Sequence, residues 1–203
     1  MRVTLAIGLA LALVQPALAA EQVSGEPCLA SDSMGLTARD QYRISHLSAS
    51  RTQGLAEALR AGNSKDRGDV SALFADGLAP LSEVKQGKYQ CRTIKLGGNL
   101  PLVVYQWFSC EISQEDGALT LRKLTGSQNF FGTLVPAGPG YLYKGALHYG
   151  YEREVTLYGT TKDRDQVGCL VNASANGSRL VLELPMPVFE SQHDVIELRR
   201  STE

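Results

Sequence analysis

Tyr89-Gln-Cys-Arg-Thr-Ile-Lys-Leu-Gly-Gly-Asn-Leu-Pro101 runs into Leu102-Val-Val-Tyr-Gln-Trp-Phe-Ser-Cys-Glu-Ile112, and Leu119-Thr-Leu-Arg-Lys-Leu-Thr-Gly-Ser-Gln128 follows. These residues read as three consecutive antiparallel strands. Gly97, Gly98, Asn99 and Pro101 form a chain-reversal cluster between the first two. Folding back there with opposed residue numbers summing to 201 sets Cys91 opposite Cys110, Ile94 opposite Trp107 and Leu96 opposite Tyr105. Cysteine position and apolar pattern select the same register, because a one-residue slip would turn one strand's apolar set to the other face. A disulfide between Cys91 and Cys110 is therefore expected. It would stabilise the fold by roughly 3 kcal/mol on the chain-entropy account.

The compartment reading comes from the N-terminus. Arg2 precedes an almost wholly apolar run from Val3 to Val14, and Ala17-Leu-Ala19 follows. A basic start, a short apolar core and an Ala-x-Ala end read as a secretory leader over residues 1–19. The apolar run is too short to span a bilayer comfortably, and no later segment suits an integral membrane span. Beyond the leader, 19 basic and 21 acidic residues leave a net charge of −2. That balance argues against nucleic acid or an anionic membrane surface as a partner. Four cysteines in an oxidising compartment suggest two disulfides, which leaves Cys28 for Cys169.

After the leader, residues 20–35 are small and polar and read as an extended lead-in. A helical segment spans 36–82. Thr37 with Asp40 marks its start, apolar residues recur at helical spacing through Leu59, and Gly62-Asn63 stops the first helix. A second short helix is expected over 69–75. From residue 85 to 203 the texture is β, with 12 of the 14 aromatic residues lying there. Strands are expected near 88–96, 102–113, 118–125, 130–135, 141–148, 153–158, 166–173, 178–184 and 193–199. The predicted fold is mainly β: an antiparallel meander closed into a barrel-like or sandwich domain, with the helical segment packed outside. Closure is favoured because it removes sheet edges. Leu102–Phe108 is apolar on both faces apart from Gln106, so the helix is expected to cover that strand.

The β region resembles an exported bacterial family, domain of unknown function 4893. The residues that carry the resemblance are Gly87 to Gly97, Tyr105-Gln-Trp-Phe-Ser-Cys110, Lys123-Leu-Thr-Gly-Ser-Gln128, Tyr158-Gly159 with Asp163-Arg-Asp165 and Gly168, and Glu190-Ser191 with Asp194-Val-Ile-Glu-Leu198. The likeness runs in order through residues 40–200. It implies export and no established activity. Asn129 stands where the family pattern has a basic residue, and Cys169 where it has an aliphatic one, so no role for a basic side chain is carried to position 129.

Most chemistries find no support in the residues. His46, His148 and His193 share no ligand spacing, so no metal or other cofactor is expected. Ser127 and Ser191 lie on no nucleophile elbow. Asp163, Arg164, Asp165, Glu190 and Asp194 read as a structural ion-pair network, with Arg164 bridging carboxylates. Arg92, Lys95 and Lys123 interleave with Tyr105, Trp107 and Gln128. A few polar groups among aromatics in a barrel interior is how small ligands are held, so these six are the candidate binding residues. The expected function is non-catalytic binding of a small molecule or an envelope protein. One alternative is an envelope hydrolase using Asp165, Glu190 and Asp194; another is an assembly factor without a small-molecule site.

Overall fold

The chain reverses at Gly97 and Gly98, whose φ angles of 68° and 98° lie in the region that side chains avoid. The computed structural model describes residues 26–174 and 177–201, so the leader read at residues 1–19 lies outside them. Among the described residues the nine strands are β1 Gly87–Leu96, β2 Leu102–Val104, β3 Phe108–Glu115, β4 Ala118–Lys123, β5 Gln128–Ala137, β6 Gly140–Tyr149, β7 Asp165–Asn172, β8 Arg179–Pro185 and β9 His193–Arg200. From β3 to β9 each strand pairs antiparallel with the next, and β9 returns to pair with β1 over eight residue pairs, from Tyr89↔Arg200 to Leu96↔His193. With β1 also paired to β3, the result is a closed eight-stranded antiparallel barrel.

The expected register is corrected. Leu96 faces Leu102, Ile94 faces Val104, Cys91 faces Phe108 and Tyr89 faces Cys110. The Gly-Gly turn closes five residues, with Gly97 N–H donating to the Pro101 carbonyl at 3.0 Å. The strand then bulges: Tyr105 N–H bonds the Thr93 carbonyl, so Gln106 and Trp107 together oppose the single Arg92. The long second strand is thus cut into β2 and β3. Cys91 and Cys110 are nonetheless joined, diagonally across the pair, with Cα atoms 5.8 Å apart. Both point inward, into a core with Ile112, Leu121, Leu182 and Leu198.

The expected strand at 153–158 is also corrected. Residues 150–164 form a loop of turns, held by Arg164 on Glu152 at 2.7 Å and by Tyr149 N–H on the same carboxylate. Its apolar residues, Val155 and Leu157, stay exposed because no sheet face lies beneath them.

Among the described residues three α-helices cover the outside: α1 Ala38–Ser45, α2 Leu47–Ala61 and α3 Ser64–Phe74. The predicted first helix is broken at His46, whose backbone leaves the helical region at φ −117°, ψ 20°. Glu26 accepts hydrogen bonds from Ser48 N–H and Oγ at 3.0 and 2.9 Å and so satisfies the fresh helix start. The second helix begins at Ser64, earlier than expected, because Asn63 caps it by accepting from Asp66 N–H at 2.9 Å. Among the described residues no helix is long and apolar enough to cross a membrane.

Ile44 and Leu47 pack with Val167, Cys169 and Val171, while Ala58, Val70 and Leu73 pack with Ile94, Val181 and Val195. The strands buried on both faces are therefore β1, β7, β8 and β9. Leu102–Phe108 is not one of them: Tyr105 and Gln106 are exposed, because the bulge swings them off the sheet. Cys28 is bonded to Cys169 with Cα atoms 5.7 Å apart, which pins the lead-in to the outer face of β7.

Candidate functional site

Alternation along the strands decides which side chains enter the barrel. On β1 the inward set is Tyr89, Cys91, Thr93 and Lys95, and Arg92 and Ile94 point out beneath the helices. One half of the interior is filled by packed side chains. Tyr143 is fully buried there, and its ring lies over Gly132 and Gly145, where an added Cβ would come within 2.5 and 2.3 Å of it. The other half is open.

A cavity of ≈ 570 Å³ occupies that end. Phe108, Phe130, Leu147, Leu184 and Ile196 supply its apolar wall, and Phe130 meets Tyr143 edge-on at 6.3 Å. Lys95, Lys123, Gln128, Gln166 and Asp194 supply polar groups. Loop residues 163–165 and 187–190 form the rim with Asn99 and Tyr105. A smaller cavity of ≈ 300 Å³ adjoins it, lined by Leu100 and Val103 and sharing Lys95, Asn99, Tyr105 and Glu190.

The two inward lysines differ. Lys95 stands opposite Asp194 in the β1–β9 register and bonds Glu190 at 2.5 Å. Burial alone would pull its ammonium down, but the Glu190 hydrogen bond and the Asp194 charge outweigh that and hold it above its ordinary value. Asp194 is pushed up by burial, only partly offset by the Ser191 hydroxyl at 2.5 Å and by Lys95. Lys123 has no such counter-charge. Its Nζ donates to the Gln128 carbonyl at 2.8 Å and sits 3.9 Å from the Phe108 ring centroid. Burial lowers its pKa to about 8. Among the described residues no carboxylate approaches it within 4.0 Å.

A family model for a domain of unknown function, DUF4893, matches residues 34–198. The chain belongs to the DUF4893 family. No curated protein and no solved structure matches it.

Within this DUF4893 domain the six expected binding residues are divided. Lys95, Tyr105, Lys123 and Gln128 line the cavity. Arg92 and Trp107 lie outside the barrel. Arg92 faces Glu197 across the strand pair and bonds it at 2.7 Å, and the Trp107 ring lies between Arg92 and Arg199, 4.7 and 4.5 Å from its centroid. Alternation along β1 explains the split: Arg92 lies on the outer face with Ile94, Trp107 stacks on it there, and Lys95 faces the cavity.

The expected ion pairs are rearranged. Arg164 bonds Glu152, not Asp163, Asp165, Glu190 or Asp194. Asp163 is exposed, and Asp165 accepts from Gly159 N–H at 2.8 Å, so it caps the turn before β7. Asp165, Glu190 and Asp194 do line one cavity, but each carboxylate already has a partner.

Sequence reasoning missed two buried polar clusters of the DUF4893 domain. Glu183, fully buried on the outer face of β8, pairs with Arg51 of α2 and lies 3.3 Å from His193. Arg43 of α1 reaches the Pro185 and Asp165 carbonyls at 2.9 and 3.2 Å and pairs with Asp40 at 3.0 Å, tying a helix to the cavity rim. A lone glutamate inside the apolar run Leu180–Leu184 was the available signal for the first. Asp40 and Arg43 at helical i,i+3 spacing were the signal for the second.

Proposed function

We propose that this DUF4893 protein is an exported, non-catalytic carrier of a small amphipathic anion, whose apolar body lies in the barrel and whose head group meets Lys123. The observation that carries the reading is the Lys123 ammonium inside a half-apolar cavity with no carboxylate of its own. A cation held there at a desolvation cost favours an anion that neutralises it. The cavity volume suits a small molecule. Export is supported by the basic-apolar-Ala-x-Ala start of the chain and by two disulfides, which are compatible with an oxidising compartment. Hydrolysis is disfavoured because Glu190 is neutralised by Lys95 and Asp165 serves as a turn cap.

The test is thermal shift and calorimetry on the oxidised protein with octanoate and its uncharged analogue octanamide. Octanoate is expected to raise Tm by mass action, octanamide to do so less, and Lys123→Met to remove the difference. Equal binding of the two probes, or none by either, overturns the reading.

A further inference from the structure

Lys123 also has the surroundings of an amine nucleophile. We propose that it condenses reversibly with the carbonyl of apolar aldehydes or ketones that enter the barrel, forming a Schiff base. This goes beyond the anion-binding reading, which needs only the ammonium form.

Three observations support it. The amine stands in the cavity with a single hydrogen bond, to the Gln128 carbonyl, so nothing holds it as a salt bridge. Phe108 lies against the amine, and Phe130 and Leu147 line the same cavity, so a carbon chain has apolar surface to rest on there. The other inward lysine, Lys95, is locked on Glu190, which leaves Lys123 as the amine free to react. With its pKa lowered to about 8 by burial, roughly one Lys123 in ten is neutral at pH 7, against fewer than one in a thousand for an ordinary lysine.

The step balances without an oxidant or reductant. The neutral Nζ lone pair forms a C–N bond while the C=O π pair moves to oxygen, which takes a proton. The carbinolamine then loses water and the nitrogen gives up its second proton. Amine plus carbonyl gives imine plus water.

The experiment treats the oxidised protein with octanal and cyanoborohydride at pH 7, then maps the alkylated lysine by peptide mass spectrometry. The expected result is one octyl group on Lys123, formed on the order of tenfold faster than on exposed lysines such as Lys65, and blocked by octanoate. Lys123→Arg, which keeps the charge and removes the nucleophile, is expected to lose the fast label. Labelling spread over exposed lysines, or a fast label that survives in Lys123→Arg, overturns the proposal. If octanoate binds and octanal does not label Lys123, the covalent step alone fails and the carrier reading stands.

Discussion

Glu190 closes on Lys95 at 2.5 Å from a backbone with φ 71°, and this pair lies in the wall that both cavities share. A glutamate rarely holds positive φ, and here the loop is over-determined: its carbonyl accepts from Asn99 N–H at 2.8 Å, and Gly98 leaves no room for a Cβ beside it. Glu190 is half exposed, so the pair contributes little to stability. Glu190→Gln is expected to shift stability by less than about 1 kcal/mol in urea titrations. The same variant frees the Lys95 ammonium toward the cavity and is expected to tighten octanoate binding several-fold by calorimetry.

Lys123→Met is expected to stabilise the protein at neutral pH. The unfolded chain holds the Lys123 proton up to its model value of 10.5, and the folded chain only up to about 8. Between those values the unfolded state binds more protons, so native stability rises with pH across that window. At pH 7 the buried ammonium costs on the order of 3 kcal/mol, which the methionine removes. Urea midpoints at pH 7 and pH 10 should show the variant ahead at the first and nearly level with the native protein at the second. Octanoate affinity of the native protein should fall above pH 8 for the same reason.

Glu183 holds α2 to the barrel. Burial raises its pKa, but the nearby His193 ring at 3.3 Å and the hydrogen bonds and charge of Arg51 outweigh this and leave it below its ordinary value. Such a carboxylate stabilises the fold above its unfolded value of 4.5, and the stabilisation is lost as pH falls through the folded value. Glu183→Ala leaves Arg51 beside a buried, unpaired pocket and is expected to cost about 3 kcal/mol at pH 7, measured by denaturation. Below about pH 4 the gap between variant and native protein should narrow.

The two disulfides should be separable by reduction and mutation. Cys91–Cys110 closes a loop of 19 residues and Cys28–Cys169 one of 141. On the chain-entropy account their losses cost about 3 and about 5 kcal/mol. Cys28→Ser with Cys169→Ser should also raise hydrogen exchange in the lead-in while leaving β1 and β3 protected, because the inner core does not include that bridge.

Strand positions, the closed β domain and both cysteine partnerships were legible in the chain, because alternation and turn residues are local signals and few cysteines leave few pairings. The register was not. It depends on one extra residue at Gln106–Trp107, and a bulge leaves no mark in hydrophobic period. Arg92 shares a face with Ile94 and Trp107 in the expected register as in the observed one, and Lys95 lies on the other, so strand alternation already separated them within the six candidates. The stretch 153–158 alternates like a strand, yet it has no neighbour to bury its apolar side. Lys123 and Gln128 could be named from composition, but the missing counter-charge at Lys123 required three-dimensional proximity to be seen.

The seam between β1 and β9 sets a timetable for biosynthesis. Tyr89 cannot find Arg200 until the chain through β9 has left the ribosome, and Cys28 must wait for a partner 141 positions later. Long-range closure of this kind is slow and leaves unpaired edges exposed meanwhile. A nascent chain that stops short of β9 is thus an open sheet, and deletion of β9 should be far less tolerated than deletions in the loop before β7.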